Sequence, residues 1–287
     1  MMTLIVAHKH MNLPKLIAVT CSALSLASCG NKPSELAADP QPGNNKPSAL
    51  VADRQPRNSG LTFADWCRRK ASLSPEAKYT VEALLKEAGT TECDLANQKL
   101  SSLTQLNLGF ERQISDLKPL ASLTNLTGIW LNGNQISDIK PLASLTNLDW
   151  LYLNDNQISD IKPLASLTNL TRLVLSDNQI SDLKPLASLT NLTRLILSGN
   201  EISDLKPLAS LTNLDWLIIN YNKISDIKPL ASLTNLTWLN LRDNKISDIK
   251  PLASLTRLTD LELNGNPIAP KTCPIEPESI CNWEPLI

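Results

Sequence analysis

The chain has 287 residues, of which 42% are hydrophobic and 19% charged, and its formal net charge is −1. That length allows a substantial core, while the near-neutral balance argues against tracking a phosphate backbone, so no nucleic-acid partner is expected. Both histidines, His8 and His10, precede Met11.

From Met11 the chain reads "MNLPKLIAVTCSALSLASCG", with Lys15 ahead of an apolar run from Leu16 to Ala27 and small residues before a cysteine. This is a signal-peptide layout, too short for a permanent bilayer span. Leu26-Ala27-Ser28-Cys29 resembles the lipobox of bacterial lipoproteins, which implies cleavage before Cys29 and a lipid on its thiol. Residues 1–28 are then the signal peptide, Met11 gives the cleaner start, and the mature chain holds no histidine. An ordinary secretory signal that contains a cysteine is the alternative. The lipid would hold the exported chain to a bacterial membrane, facing the cell surface or the periplasm.

Residues 29–60 contain a tandem duplication, "NKPSELAADPQPGN" then "NKPSALVADRQPRN", with few large apolar side chains. Such a segment buries too little surface to offset its ordering entropy, and is expected to be a tether. Residues 61–99 instead carry helix signals: Thr62 as a cap, Ser74 before Pro75 and Glu76, and Gly89 as a stop. They predict two short helices that close one end of the core.

Setting aside Cys21 and Cys29 leaves Cys67, Cys93, Cys273 and Cys281 of the six cysteines. In an exported chain they are read as the disulfides Cys67–Cys93 and Cys273–Cys281. The first would pin the leading helix to the start of the regular region. Zinc is the alternative, disfavoured because the pairs lack tight metal spacing; no metal and no cofactor is expected.

From residue 100 to 266 the chain repeats, and from Leu123 the period is 22 residues without a slip, through Leu145, Leu167, Leu189, Leu211, Leu233 and Leu255. Eight units are visible, and each fits the leucine-rich repeat pattern, as in "LTNLTWLNLRDNKI". One unit cannot bury its own apolar side chains, so stacked units bury each other. The expected fold is an α/β leucine-rich repeat solenoid. A curved parallel sheet lines its concave face, short 3₁₀-like or irregular "SDIKPLAS" segments its convex face, and disulfide-pinned caps close its ends. Asn134, Asn156, Asn178, Asn200, Asn222, Asn244 and Asn266 fall where each strand ends, and their amides suit backbone groups that no ladder reaches. Residues 267–287 form the second cap.

The recurring "NQISDIKPLASLTNLT" block and the 22-residue unit make residues 94–268 similar to the bacterial internalin-type leucine-rich repeat proteins. The resemblance implies a curved solenoid whose concave face binds a protein. After the repeats this chain reads as a short cap instead of an Ig-like domain, and a lipobox replaces a wall-sorting signal.

Within the repeats, variation concentrates at strand positions that alternate away from the core. One column reads Gly128, Trp150, Arg172, Arg194, Trp216, Trp238, Asp260, and the next Trp130, Tyr152, Val174, Ile196, Ile218, Asn240, Glu262. Four of the six tryptophans stand there, enough for an amphipathic patch of roughly 500 Å² or more. The candidate ligand-binding residues are Trp130, Trp150, Tyr152, Arg172, Val174, Arg194, Ile196, Trp216, Ile218, Tyr221, Trp238 and Arg242, with Asn132, Asn154, Asp155, Asp177, Asn220 and Asp243 at the rim. A bland reading has Arg172 and Arg194 merely stacking on Trp150 and Trp216.

A monomeric recognition module with a protein ligand is therefore expected; glycan binding and a purely structural spacer are the alternatives. An enzyme is not. The mature chain would lack histidine and free thiol, and no phosphate loop or nucleophile elbow is present. Asp260 and Glu262, two apart on one strand face, read as rim charges.

Overall fold

The computed structural model describes residues 60–284, so the expected signal peptide, the lipid attachment at Cys29 and nearly all of the tether lie outside it. Nine parallel strands form one sheet in chain order, each paired only with its sequence neighbours. They are β1 Gln105–Asn107, β2 Gly128–Trp130, β3 Trp150–Tyr152, β4 Arg172–Val174, β5 Arg194–Ile196, β6 Trp216–Ile218, β7 Trp238–Asn240, β8 Asp260–Glu262 and β9 Cys281–Asn282. The sheet lines the concave side of the solenoid. Behind it each "KPLAS" segment forms a 3₁₀ turn, such as Lys140–Ser144, with proline in its first turn, where no amide hydrogen is missed. Asp138 Oδ1 accepts from the Lys140 amide at 2.9 Å, and the same bond recurs at Asp160, Asp182, Asp204, Asp226 and Asp248.

The core is a column of leucine and isoleucine. In one unit Leu145, Leu148, Leu151, Leu153, Ile158, Ile161 and Leu164 are all at most 1% exposed. Strands β1 to β8 are each three residues long and carry one central leucine or isoleucine into the core, so the sheet alone buries little. The stacking of unit on unit supplies the rest, at roughly 25 cal/mol per Å² of apolar surface.

Asparagine stitches the units together. Asn156 Nδ2 donates to the carbonyls of Leu131 in the preceding unit and Leu153 in its own, both at 3.0 Å, while its Oδ1 accepts from the Ile136 amide at 3.0 Å. The pattern recurs from Asn134 to Asn266, and the first six of these seven are buried while Asn266 is partly so. A second, exposed ladder runs along the outside: Asn147, Asn169, Asn191, Asn213 and Asn235 each donate to a threonine carbonyl of the preceding unit at 2.8–2.9 Å.

Three α-helices close the first end, one more than the sequence signals predict: α1 Phe63–Arg68, α2 Pro75–Ala88 and α3 Cys93–Ser102. Thr62 and Asp65 cap α1 reciprocally, Ser74 caps α2 at the Ala77 amide, and Gly89, at φ 61°, stops α2. The third helix has no side-chain cap, so no capping signal marks it in the sequence; packing of Ala96 and Leu100 holds it. Both expected disulfides are present. Cys67–Cys93 joins α1 to α3, not directly to the first repeat. At the other end Cys273–Cys281 folds the chain so that β9 pairs with β8 and covers that sheet edge.

Candidate binding face

Register places the variable side chains in straight rows across the sheet. Gly128, Trp150, Arg172, Arg194, Trp216, Trp238 and Asp260 are successive partners in one row. The other runs Trp130, Tyr152, Val174, Ile196, Ile218, Asn240, Glu262, and β1 extends the rows with Gln105 and Asn107. Arg172 and Arg194 are exposed; Trp130, Trp150, Tyr152, Val174, Ile196, Trp216, Ile218 and Trp238 are half-buried.

The aromatic side chains gather into two clusters. In the first, the Trp130 and Trp150 rings lie 4.1 Å apart, and Tyr152 meets Trp130 at 6.1 Å and Trp150 edge-on at 5.7 Å. Gly128 makes this possible: a Cβ there would stand 1.9 Å from Trp150 Cζ2, so the indole lies across the bare backbone of β2. In the second, Trp216 and Trp238 stack at 4.7 Å with planes 3° apart. Arg194 lies over Trp216 at 5.7 Å. Arg172 makes no such contact with Trp150, whose ring leans the other way, so only half of the bland stacking reading holds.

A third row follows the strand ends. Gly133, Asp155, Asp177, Gly199, Tyr221, Asp243 and Gly265 all have positive φ, from 51° to 74°. Asp177 and Asp243 lean over the next unit, where a Cβ on Gly199 or Gly265 would meet their Oδ1 at 2.4 or 2.1 Å. Burial and then the neighbouring Asp155 charge push the Asp177 carboxyl above its ordinary range. Tyr221 is 50% exposed, with the Arg242 guanidinium 5.4 Å from its ring and Arg242 Nε on Asp243 Oδ2 at 2.7 Å. Phe110, 67% exposed at φ 60°, lies over Gly133 in the same way and was not among the expected site residues. Its unit carries one extra residue, which hides the alignment.

Strand β8 corrects one expectation. Glu262 is not a rim charge: it is 3% exposed, its Oε1 accepting from Asn282 Nδ2 of β9 at 3.1 Å while its Oε2 is buried without a partner. Burial pushes its carboxyl above the ordinary range, although the Asn282 bond and the Arg242 charge pull the other way. Among the described residues no cluster of histidine, cysteine, aspartate or glutamate is arranged to hold a metal ion.

The family model of leucine-rich repeats (two copies) matches residues 101–144, 146–188, 190–232 and 234–273. Among solved structures, an internalin (inlF) from Listeria monocytogenes is 45% identical over 59% of this chain and 51% of its own, with a TM-score of 0.57. An internalin C2 (inlC2) from the same species is 35% identical over 68% of this chain and 96% of its own, with a TM-score of 0.58. A leucine-rich repeat protein from Leptospira interrogans is 31% identical over 66% of this chain and 50% of its own, also at 0.58. This chain thus spans about half the length of the first and third and nearly all of the second. No curated protein sequence matches it.

Proposed function

The chain belongs to the internalin-type leucine-rich repeat proteins, and from that premise we propose that it is a surface lipoprotein whose concave face binds a protein ligand. The carrying observation is the pair of half-buried aromatic clusters on the open face of a rigid sheet, where stacking of units does not explain them. Tryptophan, tyrosine and arginine are the side chains enriched at binding hot spots, and here the backbone holds them in register. The lipid on Cys29 would fix the chain to the membrane and residues 29–60 would supply reach. Two disulfides accord with export into an oxidising compartment.

The test captures partners with the full chain beside a folded variant in which Trp150, Arg172, Trp216 and Trp238 are alanine, against surface extracts and a glycan panel. A protein held by the first and lost by the second supports the reading. Retention of the same protein by both moves the site off this face. Capture of glycans alone replaces protein with sugar as ligand, and capture of nothing favours a spacer. Mass spectrometry of the amino-terminal peptide tests the anchor, since an unmodified Cys29 removes it.

A further inference from the structure

The row Trp150, Arg172, Arg194, Trp216 crosses four adjacent strands in register. Its two central members are like charges on directly paired positions, an arrangement that by itself destabilises a sheet. Neither arginine forms an ion pair among the described residues. The carboxylates of the column beside them are engaged elsewhere: Asp149 accepts from the Thr171 hydroxyl at 2.5 Å and Asp215 from the Thr237 hydroxyl at 2.6 Å. At the far rim Asp243 is held by Arg242. Arg194 rests on Trp216, and Arg172 is left without a partner beside it.

On either side of this dibasic saddle stands an aromatic cluster, Trp130 with Trp150 and Tyr152 before it, Trp216 with Trp238 after it. We propose that Arg172 and Arg194 together receive a carboxylate of the protein ligand, whose apolar side chains seat on the aromatic clusters to each side. This rests on the concave-face reading above and names the chemistry of its partner. Each guanidinium is opposite in charge to a carboxylate and matches its planar fork, and a carboxylate placed between the two offsets part of their mutual repulsion. Trp150 and Trp216 are three strand spacings apart, about 14 Å, which an extended peptide covers in four to five residues at roughly 3.3 Å each. The recognised segment therefore has aspartate or glutamate near its middle and an aromatic or aliphatic residue at each end.

The experiment selects binders to the full chain from two displayed peptide libraries with randomised flanks, one with a fixed central aspartate or glutamate and one with a fixed central lysine. A panel of sialylated glycans, which also carry a carboxylate, runs in parallel. The acidic library is expected to enrich, with apolar residues at both ends. Its peptides should weaken at least tenfold on R172A/R194A, and should weaken with salt. R172E/R194E should reject them and accept the same peptides with lysine at the centre. Far-UV circular dichroism of the parent shape and a cooperative thermal transition show that each variant is folded. Peptides without acidic preference that are still lost on W150A/W216A would overturn this inference and leave the concave face standing. Peptides indifferent to both pairs of variants would overturn the inference and the concave face together. Sialylated glycans binding in place of peptides, and lost on R172A/R194A, would overturn the protein partner.

Discussion

Tyr221 presents its ring to the Arg242 guanidinium at 5.4 Å from a backbone in the left-handed region, φ 54°. Its row otherwise holds only glycine and aspartate through seven units, the residues that tolerate this conformation best. A tyrosine there is costly, and it is half exposed, so burial does not compensate. Phe110 repeats the combination at the start of the solenoid. Each strained aromatic lies in or beside a unit that carries part of an aromatic cluster, which places strain where the proposed ligand would sit.

Replacing Tyr221 by asparagine should therefore stabilise the protein and impair it. Relief of the left-handed strain is expected to add about 1 kcal/mol in urea unfolding. Binding of the acidic peptides should weaken severalfold at the same time. A variant that loses stability would show that the Arg242 contact outweighs the backbone cost.

Gly128 tests the seat of the first cluster. In Gly128→Ala the new methyl would collide with Trp150 Cζ2, and the indole must leave the surface of β2. A destabilisation of roughly 1–3 kcal/mol is expected, together with a red shift of tryptophan emission. Combined with Trp150→Ala, the same alanine should cost little, because the two effects share one contact.

Much of this was legible in the sequence. A 22-residue period fixes which side chains fall in register, so the rows headed by Gly128 and Trp130 follow from counting, as does the asparagine at each strand end. Where contacts are set by other units or by the caps, counting fails. Helix α3 lacks a capping side chain, and β9 is two residues long, below any pattern. Glu262 looks like a surface charge until β9 covers it. The tilt of Trp150 toward β2 depends on the absent side chain of Gly128, and Phe110 is displaced from its row by one inserted residue.

The buried asparagines are expected to matter far more than the exposed ones. Asn178 donates to the carbonyls of Leu153, Leu175 and Ser176 at 3.0–3.1 Å and accepts from the Ile158 amide at 2.9 Å. Asn178→Ala leaves several of these groups buried without partners, at about 2–4 kcal/mol. Asn178→Asp should do no better, since a carboxylate cannot donate to carbonyls. Asn191, whose amide meets the Thr168 carbonyl at 2.9 Å on the exposed outside, should cost under about 1 kcal/mol as alanine, because water replaces it. Equal losses in urea unfolding would contradict this division.

Glu262 should make stability depend on pH in a direction unusual for a carboxylate. Its pKa in the folded protein lies above the ordinary 4.5, mainly through burial, so the folded state holds its proton more tightly than the unfolded chain does. Its contribution is greatest below the ordinary value, falls as pH rises toward the folded pKa, and stays low above it. Glu262→Gln keeps an oxygen for Asn282 Nδ2 and removes the charge. The variant should therefore be more stable than the parent at pH 7, with the gap closing as pH falls through the window between the folded and the ordinary pKa. Other carboxylates titrate in both proteins and cancel in the difference, so the difference between urea midpoints is the quantity to measure. A gap that widens on acidification would mean that the Asn282 bond and the Arg242 charge outweigh burial, and that Glu262 is held as a carboxylate after all.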